Sequence, residues 1–181
     1  MPNFPKRRKK TMEELERLMP SEFKERSKHP VILVLDNLRS GLNVGSLFRT
    51  ADAFAIEAIY LCGITVQPPH RELLKTAIGA ELSVSWKYFE NSTIAIQELK
   101  DKGYQIIGVE QTTDSVSLDD WQPERQELAF VLGNEVEGLE DKVLTLLDQC
   151  LEIPQFGTKH SINVAVCGGI ILWEAIRKRI G

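Results

Sequence analysis

The chain has 181 residues, of which 43% are hydrophobic and 27% are charged, and its formal net charge is −4. This composition excludes a disordered tail protein, a collagen-like fibre and a small disulfide scaffold. No apolar run reaches the ~18 residues that a membrane helix needs. The negative net charge argues against a protein whose entire surface binds nucleic acid.

The N-terminal 29 residues are predicted to be an appendage, and residues 30–181 are predicted to form one domain. Lys6–Lys10 is a run of five cations, which is typical of a solvated arm. Thr11–Glu14 has the spacing of a capping box and opens a short helix, which Pro20 interrupts before Ser21 caps a second turn. No apolar segment follows the cations, so no secretory signal is expected.

Three widely spaced cysteines favour a reducing compartment. Cys62, Cys150 and Cys167 contain no C-x-x-C pair. Reduced thiols in a cytoplasmic protein are therefore expected.

From Pro30 onward, strand patterns alternate with helix patterns, which predicts an α/β domain around a mainly parallel sheet with helices on both faces. The predicted strands are Val31–Leu35, Ala58–Cys62, Ser83–Trp86, Tyr104–Val109, Leu128–Leu132 and Cys150–Ile153. The predicted helices are Asn43–Ala55, Arg71–Ala80, Thr93–Lys100, Leu139–Leu147 and Ile162–Arg179. Ligands of such sheets bind beyond the carboxyl ends of the strands, so the connections there are examined first.

The connection after the first strand carries Asn43, which is placed to cap the next helix, and Arg49, which points away from that helix's apolar stripe. Arg49 is either an ordinary solvated charge, paired with Asp52, or a functional group. Gly45 lies one turn before Arg49 and leaves the helix surface bare. We therefore expect another group to approach the helix closely there.

The connection after Leu132 places Glu135 and Glu137 between Gly133 and Gly138. Glycine at the end of a strand lets backbone amides come close to a ligand. An ordinary strand-to-helix turn with acidic residues near a helix start is the alternative.

The segment Ile153–Asn163 precedes the last helix, for which Ser161 is a good N-cap. That helix is apolar on all faces, so it is expected to be surrounded by protein. A loop held by such a helix is rigid enough to form a binding site, although a core helix with an ordinary cap would have the same pattern.

Several common sites are missing from the sequence. No phosphate-binding loop, dinucleotide fingerprint or nucleophile elbow occurs. His29, His70 and His160 lack the spacing of metal ligands, so no metal is expected.

Three motifs in the same order resemble the SpoU (TrmH-type) family of RNA ribose 2′-O-methyltransferases, within the SPOUT superfamily. The first is N-x-G-x-x-x-R-T-A-D-A over 43–53 and the second is F-V-L-G-N-E-x-x-G-L over 130–139. The third is I-P-x-x-G-x-x-x-S-I-N-V-x-V over 153–166, in which Ile162 stands where leucine is more usual. The resemblance covers about Val31 to Arg179.

The resemblance implies a deep C-terminal trefoil knot, although most chains avoid threading. It also implies a homodimer with cofactor sites at the subunit interface. S-adenosylmethionine would be bound by backbone groups at Gly133, Ile153 and Ile162, with Val109 as a further wall.

Catalysis is likewise implied by the resemblance. Arg49 is the candidate catalytic residue, contributed by the subunit opposite the cofactor. Because an arginine pKa above ~12 makes a costly base, we favour a role in gripping phosphate and polarising the hydroxyl. Asn43 would orient Arg49 or the ribose, Glu135 would position Arg49 or Asn163, and Ser161 and Asn163 would order the loop.

The expected substrate is RNA, with transfer RNA favoured over ribosomal RNA. Cations at Lys6–Lys10 and Arg177–Arg179 would make binding strongly salt-dependent. The alternatives are ribosomal RNA methylation, a SPOUT enzyme that methylates a base nitrogen, and a non-catalytic RNA-binding module. No membrane partner is expected.

Overall fold

The computed structural model describes residues 7–11 and 13–180. Its strands are β1 (His29–Asp36), β2 (Ile56–Cys62), β3 (Ser85–Phe89), β4 (Gln105–Val109), β5 (Val116–Ser117), β6 (Leu128–Leu132) and β7 (Gln149–Glu152). Its α-helices are α1 (Pro20–Glu25), α2 (Gly41–Ala53), α3 (Arg71–Ala77), α4 (Ser92–Asp101), α5 (Asp141–Leu144) and α6 (Val164–Ile180). Short 3₁₀ helices cover Glu13–Leu15 and Ala80–Leu82.

All seven strands form one parallel sheet in the order β3-β2-β1-β6-β4-β7-β5. The predicted α/β class with a mainly parallel sheet is confirmed. Because every strand runs the same way, the connections that follow β1, β4, β6 and β7 meet at one edge of the sheet.

Two hydrophobic cores cover the two faces of the sheet. Side chains of β1 alternate between them: Val31, Leu33 and Leu35 pack with α2, α3 and α6, whereas Ile32 and Val34 pack with α4 and the segment around α5. These side chains are fully buried, and each contributes ~1.5–3 kcal/mol of burial free energy. This two-sided burial explains the unbroken apolar run in the sequence.

The predicted elements agree with the structure except at their ends. Helix α3 stops at Ala77 because Ile78 adopts a left-handed conformation with φ of 51°. The helix predicted from Leu139 shortens to α5, because Glu140 has an extended backbone (φ −67°, ψ 150°) and serves as the N-cap. Strand β5 was not predicted, since two residues carry too little pattern.

Gly45 is closely approached, as expected, and the approaching group is helix α3. A Cβ at this position would collide with the Leu73 carbonyl oxygen and the Thr76 hydroxyl. The glycine therefore allows α2 and α3 to pack together, and it does not make room for a ligand.

The N-terminal appendage packs beside α2 and α3. The capping box is confirmed: the Thr11 N–H donates to the Glu14 carboxylate (2.8 Å), and the Glu14 N–H donates to the Thr11 hydroxyl (3.3 Å). Helix α1 begins at Pro20, one residue before the predicted cap Ser21. Lys6, the first of the five predicted arm cations, lies outside the described residues.

The strand order around β7 constrains the path of the chain. β4 and β5 are joined directly in sequence, yet β7 lies between them. The segment after β7 then passes close to the β4–β5 connection, because the Gln111 side chain donates to the His160 carbonyl (3.1 Å). Helix α6 finally packs on the face that carries α2.

Candidate active site

A cavity of about 550 Å³ opens at the carboxyl edge of the sheet, beyond β4, β6 and β7. Its volume lies within the ~300–1,000 Å³ typical of small-molecule sites. The cavity is lined by residues 109–111, by residues 132–139 and by several residues between 151 and 167.

All four residues predicted to hold a cofactor line this cavity: Val109, Gly133, Ile153 and Ile162. The cavity is also lined by Glu135, Ser161 and Asn163. The structure therefore brings seven of the nine predicted site residues to one place. The other two, Asn43 and Arg49, lie outside its lining.

The turn between β6 and α5 has a conformation that its two glycines make possible. A Cβ on Gly133 would collide with backbone atoms of Gly138 and Leu139, and Gly138 has a φ of +68°. Asn134 closes the turn by accepting hydrogen bonds from the N–H groups of Val136 (2.9 Å) and Glu137 (3.2 Å). The missing side chain at Gly133 therefore lets the turn close on itself, and Gly133 is also part of the cavity lining.

Glu110, at the end of β4, is a cavity residue that the sequence analysis missed. Its carboxylate occupies the space where a Gly138 side chain would lie, and it accepts the Leu139 N–H (3.2 Å). Burial, together with this nearby negative charge, raises the pKa of the Cys167 thiol to about 11. A charged residue directly after a buried strand was the available signal.

Glu135 anchors the glycine turn to the start of α2. Its carboxylate accepts the backbone N–H groups of Arg39 and Ser40 (both 3.2 Å) and the Asn43 side-chain amide (3.1 Å). Burial alone would raise the pKa of Glu135, but these hydrogen bonds outweigh it, so the pKa lies below its ordinary value. The group is thus a fixed negative charge at neutral pH.

Asn43 links the second motif to the third. Its amide donates to Glu135, and its amide oxygen accepts a hydrogen bond from Asn163 Nδ2 (3.2 Å). The relay Glu135–Asn43–Asn163 joins residues that are 92 and 120 positions apart. Of the two predicted targets of Glu135, Asn163 is reached through Asn43.

Both predicted helix caps are wrong by a few residues. Ser40 caps α2 by accepting the Asn43 N–H (3.3 Å), and this leaves the Asn43 side chain free for the relay. Asn163 caps α6 by accepting the Ala165 N–H (3.0 Å), whereas Ser161 lies in the exposed loop before it. In both places a neighbouring residue competes for the same backbone amides.

Arg49 lies on the exposed side of α2 and lines a separate groove beside the N-terminal appendage. Within residues 7–11 and 13–180 no carboxylate pairs with it, and Asp52 instead accepts a hydrogen bond from the Ser83 hydroxyl (2.6 Å). The alternative of a local Arg49–Asp52 ion pair is therefore wrong.

The loop over the cavity offers backbone groups to a ligand. For the part of the chain that the structure describes, no N–H group of residues 155–162 donates a hydrogen bond. Backbone amides of this kind, beside the bare Gly133 and the apolar side chains of Ile153 and Ile162, suit a flat heterocycle with polar edges. The residues present therefore fit an adenosine-containing cofactor.

The described residues contain neither a cluster of metal ligands nor a membrane-spanning helix. Among residues 7–11 and 13–180, no three His, Cys, Asp or Glu side chains are grouped as metal ligands would be. No helix in the same ranges is long and apolar enough to span a bilayer.

Removal of the Glu135 carboxylate is expected to disturb the position of the start of α2 at the cavity more than it disturbs folding. Glu135→Ala should lower kcat about 10- to 100-fold, because the start of α2 is no longer held against the glycine turn. The free energy of unfolding should fall by less than about 1 kcal/mol, since the side chain is exposed. Because folding lowers this pKa, its stabilising contribution is present at neutral pH and disappears as the pH falls through the lowered value. Urea unfolding at neutral and acidic pH and initial rates check these expectations. A loss of more than about 1 kcal/mol in the free energy of unfolding, with kcat nearly unchanged, would contradict them.

Comparison with known proteins gives consistent matches. The family model described as "SpoU rRNA Methylase family" matches residues 30–173. A 23S rRNA (guanosine-2′-O-)-methyltransferase of Neisseria meningitidis is 32% identical over 154 residues, which are 85% of this chain and 61% of that protein. A tRNA (guanosine(18)-2′-O)-methyltransferase of Aquifex aeolicus is 29% identical over 164 residues, which are 87% of this chain and 74% of that protein.

Solved structures of RNA methyltransferases and RNA modifying enzymes also match this chain over most of its length. The AdoMet-bound rRNA methyltransferase from Sinorhizobium meliloti has a TM-score of 0.77 and 26% identity, covering 86% of this chain and 59% of that one. The A. aeolicus TrmH/SpoU tRNA modifying enzyme has a TM-score of 0.77 and 26% identity, covering 89% of this chain and 80% of that one. The chain thus spans less than two thirds of several proteins that it matches.

Proposed function

The chain belongs to the SpoU rRNA methylase family, and on that premise we propose that it transfers the methyl group of S-adenosylmethionine to a ribose 2′-hydroxyl of transfer RNA. The observation that carries this proposal is the meeting of the three motifs at the carboxyl edge of the sheet. Four predicted cofactor residues line one cavity there, and the Glu135–Asn43–Asn163 relay ties its walls together.

The cavity residues divide the work of holding the cofactor. Gly133 offers backbone groups, and Val109, Ile153 and Ile162 supply apolar walls. We assign the ordering of the exposed loop to Ser161, which also lines the cavity. S-adenosylmethionine, when bound, supplies a methyl group activated by its sulfonium. The Glu135–Asn43–Asn163 relay holds the walls of the cavity in place. This helps to align the methyl group with the ribose oxygen, and in-line transfer depends on that alignment.

Arg49 is the catalytic residue of this proposal. Guanidinium groups are forked cationic donors and poor bases, so we assign Arg49 to gripping the phosphate beside the target ribose and polarising the 2′-hydroxyl. The Arg49 side chain lies outside the cavity of its own chain. We therefore assign it to the cavity of a second subunit.

The proposed homodimer rests on an apolar surface of α6. Val166 and Trp173 are seven residues apart on one face, and they remain 53% and 56% exposed in the single chain. Trp173 packs beside Phe54 at the end of α2, with ring centroids 6.1 Å apart. The expectation that protein surrounds α6 on all sides is not met within one chain, and a second copy on this face would meet it.

Trp173→Glu is expected to convert the dimer into monomers and to lower methyl transfer at least 100-fold. A charge in the centre of an apolar interface costs its full desolvation, whereas folding is unaffected where the side chain already faces water. Ile94→Glu is the matched control, because Ile94 is 48% exposed on α4 and lies across the sheet. Sedimentation velocity and rates are measured together; an active monomer of Trp173→Glu would contradict the dimeric site.

A threaded C-terminal segment is also part of the proposal. The position of β7 between β4 and β5, and the contact from Gln111 to His160, support a path in which the end of the chain passes through the loop of residues 110–127. Such a knot would fix the loop over the cavity without a disulfide. The three cysteines are free, which fits the proposed cytoplasmic location.

Methyl transfer from tritiated S-adenosylmethionine tests the activity. Bulk transfer RNA, 16S and 23S ribosomal RNA are offered separately, and nuclease-resistant dinucleotides are then analysed by mass. We expect label in transfer RNA as a 2′-O-methylated dinucleotide. Label in ribosomal RNA would mean that ribosomal RNA, and not transfer RNA, is the substrate. Label on a base would contradict methylation of the ribose. Failure to bind the cofactor would favour a non-catalytic RNA-binding module.

A further inference from the structure

Half of the eight cations that the sequence offered for RNA binding, Arg8 and Arg177–Arg179, are engaged within the part of the chain that the structure describes. Arg177 pairs with Glu174 (2.6 Å), while Lys178 and Arg179 donate to the carbonyls of Trp121 and Gln126. In the N-terminal arm, Arg8 makes a two-pronged contact with Glu14 (2.6 and 2.8 Å). These contacts reduce the charge available to a phosphate backbone from either predicted cluster.

A different set of cations lines the groove that contains Arg49. This groove has a volume of about 550 Å³ and runs between the N-terminal appendage and the end of α3. Arg17 and Arg26 lie on the appendage side, and across residues 7–11 and 13–180 neither side chain has a hydrogen-bonding or ionic partner. Glu16 and Asp52 also line the groove, so its lining carries one net positive charge.

The opposite wall is apolar and exposed. Ile78 and Leu82 are 67% and 63% exposed, and they follow directly on α3. Ile78 is a β-branched residue in the left-handed region, which is a rare conformation for this side chain. Because the Ile78 side chain is mostly exposed, burial of its apolar surface does not compensate for the backbone strain. Packing within this chain therefore does not explain why isoleucine stands there.

We propose that this groove binds the RNA strand that flanks the methylated ribose, with Arg17 and Arg26 on consecutive phosphates and Ile78 and Leu82 against sugars or bases. The inference rests on the proposed function, since Arg49 in the same groove is the residue assigned to the phosphate beside the target. RNA is favoured over a protein partner because arginine guanidinium groups bind phosphate in two-pronged fashion, and because among the described residues no carboxylate pairs directly with Arg17 or Arg26. The appendage is thereby a specific part of the RNA site.

A pair of double variants with the same change in charge tests this surface. Arg17→Gln with Arg26→Gln removes both groove cations beyond Arg49. Lys24→Gln with Arg71→Gln is the control, because Lys24 lies on the exposed side of the same helix α1 and Arg71 begins α3, and neither lines the groove. Bulk transfer RNA is the probe, and binding is measured between 0.05 and 0.3 M salt (roughly the range where counterion release dominates).

Loss of two single-strand phosphate contacts should weaken RNA binding roughly 25-fold at about 0.1 M salt and reduce the slope of log K against log salt by about 1.4. The control should change the affinity less than about 2-fold. Equal losses in both doubles, no loss in the groove double, or its dissociation into monomers would each overturn the proposal. Wild-type methyl transfer and cofactor affinity are measured in parallel, so failure of the proposed function itself is recognised by their absence in the unaltered chain.

Discussion

Replacement of Arg49 by alanine is expected to lower kcat for methyl transfer about 100- to 1,000-fold and to leave the affinity for S-adenosylmethionine unchanged. The loss is large because a donor aimed at charge that develops during the reaction stabilises the transition state more than the ground state. Cofactor affinity is unaffected because the contacts proposed for Arg49 are to the phosphate and the 2′-hydroxyl of the RNA and not to the cofactor. Single-turnover rates and calorimetric titration of the cofactor measure the two effects separately.

Two further variants define what Arg49 does. Arg49→Lys keeps the charge but loses the planar fork, so it should recover only a small part of the rate. Arg71→Ala removes an exposed arginine from the neighbouring helix α3 and should leave kcat within about 2-fold of the unaltered chain. Full recovery by lysine would reduce the role of Arg49 to simple charge attraction.

Gly133→Ala is expected to weaken S-adenosylmethionine binding about 100-fold and to lower the free energy of unfolding by about 1–3 kcal/mol. The new methyl group would collide with the backbone of Gly138 and Leu139, so the turn must shift where it lines the cavity. All three atoms that the methyl group would meet belong to the backbone, which cannot rotate aside as a flexible side chain would.

Gly157→Ala provides the matched control for this steric argument. Gly157 lies in the loop over the same cavity, but in the described part of the chain no atom beyond Gly157 and its two chain neighbours lies within 4 Å of the position its Cβ would take. Cofactor affinity should therefore stay within about 2-fold of the unaltered chain. Equal losses in both glycine variants would mean that general loop flexibility, and not the close approach at Gly133, governs binding.

The core of the fold could be predicted from local pattern, because apolar runs such as Val31–Leu35 are buried on both faces and leave little choice of element. Element ends were less predictable. Ser161 and Asn163 can each accept the same helix amides, and only the packing of α6 decides that Asn163 does so. A two-residue strand such as β5 exists because a partner strand lies beside it, and sequence pattern contains no record of that neighbour.

Some residues of the candidate site could also be predicted from the sequence, whereas the contacts between them could not. Gly133, Glu135 and Asn163 follow from motif positions, but the contact between Asn43 and Asn163 joins residues 120 positions apart and depends on the whole sheet. Glu110 was missed because a single carboxylate after a strand has many possible roles. The groove with Arg17 and Arg26 was missed because those arginines become neighbours of Arg49 only when the appendage packs against α2 and α3.

Mixed dimers test most directly whether Arg49 of one subunit serves the cofactor cavity of the other. Arg49→Ala and Gly133→Ala chains are each expected to retain about 1% of the activity or less when the cofactor concentration is limiting. They are unfolded together, refolded and assayed under that condition. The account predicts recovery of about a quarter of the unaltered activity, because half of the dimers are mixed and each mixed dimer contains one complete site. No recovery, although native mass spectrometry shows mixed dimers, would contradict the account by placing Arg49 and the cofactor in the same chain.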